Sequence, residues 1–219
     1  MAIEYKTFKT RNEWLAGRHN TIGGSDAGAI LGLCKYRDNV KLWRIMMGIE
    51  EPEDISDVPY VKYGIEAEQY IRELFRLHHP DWAVGYEENN LWTNTDYPFA
   101  HASLDAWVET PDGKHGILEI KTAELSSRIK AAEWEDNRIP DTYYAQILHY
   151  FLVTGFDFAI LCAELKTFRK DGSIEWRMIE RRIDRSEVLD DIKELEIKER
   201  AFWWHLEDKT CPGRILPAI

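Results

Sequence analysis

The stretch that most narrows the fold is residues 99–122, FAHASLDAWVETPDGKHGILEIKT. Thr110-Pro111-Asp112-Gly113 is built of turn-forming residues, and the flanking Ala106-Trp107-Val108 and Ile117-Leu118 are mostly strand-forming. Together they predict a hairpin with Asp105 on its first strand and Glu119-Ile120-Lys121 on its second. Side chains alternate along a strand, so Glu119 and Lys121 share one face while Leu118 and Ile120 take the other. Pairing of the strands brings Asp105 to the same spot. Two carboxylates and an ammonium beside an apolar core are costly to bury unless paired or bound to metal, and the carboxylates suit a divalent cation.

The rest of the chain reads as helices and strands around this hairpin. Residues 60–79 repeat apolar side chains at helical spacing, with Ala67, Ile71, Leu74, Phe75 and His78 on one side. Glu68 and Arg72 stand four apart and can pair, although a helix glutamate is usually solvent-facing. His78 and His79 are neighbours that point apart with no third ligand at metal spacing, and read as ordinary histidines. Pro140 starts a second helix that stops at Thr154-Gly155. Tyr144, Ile147, Leu148, Phe151 and Leu152 form its buried side, and Tyr143 and Gln146 share another face.

Shorter helices are expected over 10–18, with Trp14 and Leu15 inward, and over 42–47. A first strand falls within 82–92 and an apolar strand over 156–165. A last strand spans 174–183 after the turn Lys170-Asp171-Gly172, and a final helix runs from 186 to 206. Phe202-Trp203-Trp204 fits core packing or a subunit interface. In TIGGSDAGAILG, residues 21–32, Ser25 or Asp26 is expected to cap a helix ending near Gly32. With Arg18 close by, that helix start suits a phosphate, while a glycine-rich packing loop is the plainer reading. Arg128 and Lys130, within a loop or short helix at 124–134, fit either a phosphate backbone or an ordinary surface.

A chain of 219 residues, 44% apolar, fits one domain with a single sizeable core. The net charge of −11 argues against a protein that coats nucleic acid with a basic surface. The charge is uneven: residues 1–48 hold 8 basic and 4 acidic side chains, residues 49–119 hold 4 and 16. A cleft lined by basic groups or a bound metal can offset it. Cys34, Cys162 and Cys211 match neither a zinc knuckle nor a disulfide framework. No apolar run approaches a membrane span, and MAIEYK lacks the apolar segment of a signal peptide, so a cytoplasmic protein without a membrane partner is expected.

Asp105 followed by Glu119-x-Lys121 resembles the PD-(D/E)xK nuclease signature. More closely, the chain resembles the phage lambda exonuclease family, the YqaJ-like viral recombinases. Five motifs carry the resemblance in order: IGGSDAGAILG at 22–32, Gly64-Ile65-Glu66-Ala67-Glu68, SLDAW at 103–107, LEIKT at 118–122 and Tyr143-Tyr144-Ala145-Gln146. They span roughly residues 11–165. Leu104 and Ala106 depart from the proline and glycine many relatives carry, at positions that supply no ligand side chain.

The resemblance implies an α/β fold, a PD-(D/E)xK core with a central mixed sheet flanked by helices. It implies one nuclease domain over 1–219, with the strand and helix of 174–206 outside the motifs. It implies Asp105, Glu119, Glu68 and the Ile120 carbonyl as ligands of magnesium, two ions, with manganese an alternative. Lys121 would activate the attacking water and Gln146 orient it, completing a catalytic set of Glu68, Asp105, Glu119, Lys121 and Gln146. Arg18 and Ser25 would bind a terminal 5′ phosphate, with Arg128, Lys130 and Tyr143 along the DNA. The implied activity is 5′-to-3′ digestion of duplex DNA in a bacterial host, by a homotrimer that hands a 3′ single strand to an annealing protein. An endonuclease with the same core, and a DNA-binding module without catalysis, are the rival readings.

Overall fold

The computed structural model describes residues 2–169 and 171–215. The chain opens with β1 (Ile3–Thr7) and α1 (Arg11–Arg18), then runs through the two-residue β2 (Ile22–Gly23) directly into α2 (Gly24–Ile30). Helices α3 (Asn39–Met46) and α4 (Pro59–His78) precede four short strands, β3 (Ala83–Gly85), β4 (Asn90–Asn94), β5 (Ala100–Ala102) and β6 (Ala106–Glu109). The 11-residue β7 (His115–Leu125) leads through α5 (Arg128–Ala132) and α6 (Asp141–Thr154) to the hairpin β8 (Phe158–Phe168) and β9 (Ile174–Asp184), and then to α7 (Leu189–Glu207).

The strands form two sheets flanked by helices, one ordered β1-β4-β5-β2 and the other β3-β6-β7-β8-β9. The expected mixed α/β architecture is present, with a second sheet beside the one the sequence announced. β6 and β7 pair antiparallel across the predicted turn, where Gly113 adopts φ 79° and its N–H donates to the Thr110 carbonyl at 2.8 Å. β7 and β8 run parallel and are joined through α6, as a parallel pair requires a crossover. The α6 boundaries follow from Pro140 before its first turn and Gly155 in the left-handed region after its last. At α1, Thr10 and Glu13 close a capping box that satisfies the first orphan N–H groups.

β7 is packed on both faces. α4 lays Ala67, Ile71 and Phe75 on Ala106, Val108, Leu118, Ile120, Ile160 and Cys162. On the other face, α2, α3, α6 and α7 close over Ile117, Leu161, Ala163 and Leu165. No helix among the described residues is long and apolar enough to cross a membrane.

Several local expectations change. Leu15 is 46% exposed, and of the expected pair only Trp14 turns inward, where its indole N–H donates to the Asn90 carbonyl and to Ser103. On α4, Leu74 and His78 face solvent, because the buried row is 67, 71 and 75 with Arg72 beside it. His78 and His79 both reach Glu180 on β9 rather than pointing apart, since α4 ends at His78 and His79 leaves the helical spiral. The first strand is β1, not a segment of 82–92, which instead holds β3 and the start of β4; β1 is exposed throughout and carries no apolar run to betray it. Strand β7 continues to Leu125, so Glu124 is in a strand. Gly23, not Ser25 or Asp26, is the N-cap of α2, and Asp26 accepts the Gly23 N–H from the third helical position at 2.9 Å. Ser186 lies in a 3₁₀ turn ahead of α7. Phe202 is buried and Trp203 stacks near Phe99, which favours core packing there, while Trp204 stays exposed. Lys170 of the predicted β8–β9 turn lies outside the described residues.

Glycine is required at position 24. A Cβ there would stand 2.5 Å from a Tyr150 ring carbon and 3.1 Å from the Gln146 side chain. Gly24→Ala is therefore expected to cost about 1–3 kcal/mol through overpacking, read as a lower urea midpoint with an unchanged m-value.

Candidate active site

The Ala106–Leu118 pairing is the last rung between β6 and β7. Asp105 sits just before β6, not on it, and turns its side chain across the gap this leaves. Its Oδ2 accepts the Ile120 N–H at 2.8 Å, taking the place of a strand partner. Glu119 and Lys121, two apart on β7, point together as predicted: Lys121 Nζ forms an ion pair with Glu119 Oε1. Apart from that contact, both Glu119 carboxylate oxygens are buried without a hydrogen-bond donor.

α4 delivers Glu68 from the other side. Arg72, one turn on and 6% exposed, donates to Glu68 Oε1 at 3.3 Å and to the Asp105 carbonyl at 2.7 Å. Its guanidinium lies 3.5 Å over the Tyr86 ring. Arg72 thus ties the helix carboxylate to the backbone of Asp105, a role that only its spacing from Glu68 hinted at.

Three carboxylates in so dry a place disfavour ionisation. Burial and then the Asp105 charge push Glu68 up to about 7 and Glu119 up to about 8. Burial raises Asp105 as well. Burial opposes the Lys121 ammonium, but Glu119 and Asp105 outweigh it and hold the proton on more tightly than usual.

From α6, Tyr143 places its ring 5.2 Å from Lys121 Nζ, and Gln146 Nε2 donates to the Tyr150 hydroxyl at 2.7 Å. Arg18 lies on the side of the α2 start. Its Nε donates to His101 Nε2 at 2.9 Å, its guanidinium stacks 4.1 Å over Trp14, and its Nη2 is 3.5 Å from where a Gly23 Cβ would be. Burial and the neighbouring Arg18 charge force the His101 pKa down to about 2. A neutral ring that accepts at Nε2 carries its proton on Nδ1, facing Thr21 Oγ1 at 2.8 Å. The Thr21 hydroxyl donates in turn to the Arg18 carbonyl at 3.0 Å. Ser25 is exposed in the first turn of α2. Arg128 and Lys130 are exposed on α5, and no described contact joins them to the carboxylates.

His101 and Asn90 were not foreseen as site residues. Asn90, 4% exposed on β4, grips both the N–H and the carbonyl of Leu104 at 2.9 and 2.8 Å and so sets where Asp105 begins. Nothing local in the sequence marks it.

Among the described residues, no group of three or more His, Cys, Asp or Glu side chains is gathered closely enough to hold a metal ion. The donor set still fits a hard divalent cation. Glu119 offers two buried oxygens, Oε1 beside the Lys121 ammonium and Oε2 without a described donor, Asp105 and Glu68 add carboxylates, and Ile120 lies on a part of β7 that has no β6 partner to occupy its carbonyl.

A model of the YqaJ-like viral recombinase domain matches residues 13–157. The uncharacterized protein YqaJ of Bacillus subtilis (strain 168) is 32% identical in an alignment of 216 residues that covers 96% of this chain and 59% of that protein. The chain therefore spans about three-fifths of the length of that relative. Among solved structures, the alkaline exonuclease LHK-Exo from Laribacter hongkongensis is similar at TM-score 0.63 and 19% identity, with 90% of this chain and 93% of that one covered. LHK-Exo in complex with dAMP is similar at TM-score 0.61 over the same shares.

Proposed function

This chain belongs to the YqaJ-like viral recombinase family, and we propose that it is a magnesium-dependent 5′-to-3′ exonuclease on duplex DNA that leaves 3′ single strands for strand annealing. The observation that carries this reading is the meeting of Asp105, Glu119 and Lys121 at the end of the β6–β7 ladder, with Glu68 brought in by Arg72. LHK-Exo, whose fold this chain shares, is an alkaline exonuclease captured with dAMP, and we carry that activity class over.

In this reading Asp105, Glu119, Glu68 and the Ile120 carbonyl hold the cation. Bound magnesium, or manganese, supplies Lewis-acid polarisation of the phosphate and a more acidic water. Lys121 places its ammonium where negative charge grows and holds the attacking water in line. Gln146, anchored on Tyr150, orients the water or the backbone. Arg18, fixed by His101 and Trp14, and Ser25 receive the terminal 5′ phosphate. Tyr143, Arg128 and Lys130 follow the strand. We further propose one nuclease domain over the whole chain, a homotrimer in the host cytoplasm, and a single-strand annealing protein as the recipient of the product. A ring would let a chain of net charge −11 bind DNA, since only its channel must be positive.

The test is digestion of end-labelled linear duplex with 5′-phosphate or 5′-hydroxyl ends, with and without magnesium, and a covalently closed circle as control. Loss from the 5′-phosphorylated end that spares the circle supports the reading. Cleavage of the circle would replace it with an endonuclease, and no cleavage under any condition would leave a binding module.

The raised carboxylates give a second expectation. Their folded pKa values lie above the unfolded ones, so the stabilisation they contribute is complete at low pH and is lost as pH rises through about 7 to 8. The metal-free protein should therefore melt at a lower temperature at pH 9 than at pH 6, and magnesium should raise Tm more at pH 9. A magnesium effect of equal size at both pH values would count against the carboxylates as its ligands.

A further inference from the structure

A second cluster of cations lies away from the carboxylates. β9 is the edge strand of its sheet. Arg181 on it pairs with Leu161, and Leu161 pairs with Glu119, so Arg181 occupies the Glu119 row two strands over, about 10 Å away. A cleft of about 320 Å³ opens there between β9, the 137–139 segment and the first turns of α6. Arg138, Arg181, Arg182, Asp141 and Tyr144 line it. Tyr143, one residue before Tyr144, faces Lys121 instead. The cleft and the carboxylate site therefore lie against different faces of α6.

The guanidiniums of Arg138 and Arg181 are uncommitted, while that of Arg182 turns to the opposite face of the sheet, 4.0 Å over the Phe158 ring. Arg182 is already held by Asp184, with contacts at 2.7 and 3.1 Å. Arg181 makes only a 3.1 Å bond to the Glu180 carbonyl, and its Nε–H is buried with no acceptor. Arg138 is exposed, and no carboxylate among the described residues pairs with either it or Arg181. Tyr144 is no competitor, because its hydroxyl is committed to Asp191. A buried guanidinium N–H without an acceptor is an unfavourable arrangement that a multidentate oxyanion relieves, and the fork of an arginine matches a phosphate.

We propose that the Arg138–Arg181 cleft is a phosphate-ester site distinct from the Arg18 pocket, which takes either a phosphodiester of a DNA strand or the monoester of a free nucleotide. Its single acid on the rim, Asp141, leaves the cleft net positive. The proposal concerns binding alone, so it stands or falls independently of DNA cleavage.

The experiment uses the full chain in metal-free buffer, where no cleavage intervenes. The probes are dAMP and a short single-stranded oligonucleotide with a 5′ hydroxyl, titrated by calorimetry or fluorescence anisotropy at several salt concentrations. The Arg138→Met/Arg181→Met double variant is expected to lose about tenfold or more in affinity for at least one probe. For the oligonucleotide, the slope of log affinity against log salt should fall by about 0.7 per lost contact. Arg18→Met should leave this component in place. Loss for dAMP alone assigns the site to free nucleotide, and loss for the oligonucleotide assigns it to the strand. Equal affinities and equal salt slopes in the wild type and the double variant would overturn the proposal, as would binding abolished by Arg18→Met alone. Should the double variant fail to melt cooperatively, Arg138→Met by itself, at an exposed position, should still weaken binding several-fold, and an unchanged affinity would be equally fatal.

Discussion

Replacing Lys121 with alanine is expected to slow phosphodiester cleavage by about 10²- to 10⁴-fold, the range for losing one positioned acid–base or charge-stabilising group. The Lys121 ammonium is the cation in contact with Glu119, and Asp105 and Tyr143 also act on it. Arg72, the other nearby cation, is committed to Glu68 and the Asp105 carbonyl. No neighbour is therefore free to substitute. The backbone of β7 is held by its parallel ladder to β8 through residue 125, so the fold and duplex binding should survive the change. Initial rates under magnesium, set beside duplex affinity and the circular dichroism spectrum, separate the cases. Undiminished cleavage by Lys121→Ala would sink the assigned role, and lost cleavage with lost fold would require Lys121→Met or Lys121→Gln in its place.

The largest stability effect is expected at a pair with no part in the chemistry. His149 on α6 and Glu199 on α7 are both fully buried. Imidazole Nδ1 lies 2.7 Å from Glu199 Oε1, and Nε2 lies 2.8 Å from the His101 carbonyl. Two acceptors facing one ring call for the imidazolium. Burial opposes that charge, yet Glu199 and the carbonyl outweigh it and raise the His149 pKa above its ordinary value. Glu199→Ala or His149→Ala leaves one uncompensated group inside the core and should cost about 3–5 kcal/mol, read from urea denaturation. Replacing both with leucine should recover most of the loss. The sign with pH is definite: a raised histidine pKa stabilises fully below its unfolded value near 6.5 and progressively less as pH rises through the folded value. The penalty of Glu199→Ala should therefore shrink at high pH, and a penalty constant from pH 5 to pH 9 would contradict the charged pair.

The sequence disclosed those parts of the molecule whose causes are local. The β6–β7 hairpin follows from the alternation of 117–121 and the turn at Gly113, and α6 from Pro140 and Gly155. Glu68 and Arg72 were visible as a pair because helical spacing makes them neighbours. Distant partnerships were not visible. Asn90 acts on Leu104 from another strand, His149 meets Glu199 across 50 residues, and Arg138 and Arg181 converge only because α6 and β8 fold back between them. The first sheet escaped notice for a different reason. β1 is exposed along its whole length and β5 is three residues long, so neither carries a periodic apolar signal.

The chain crosses from one sheet to the other in the step Ser103-Leu104-Asp105. His101, which fixes Arg18, lies on β5 just before that step, and the Asp105 carboxylate lies at its far end. Four residue intervals span at most about 14 Å, and Asn90 clamps the middle. Under the proposed function this crossing is a ruler between the place where a strand end is held and the place where it is cut. The length of the released piece is then written into the topology, with no reading of bases. Chromatography of the limit products should show one uniform short length on any sequence, and a spread of lengths would mean that the grip and the blade are not joined in this way.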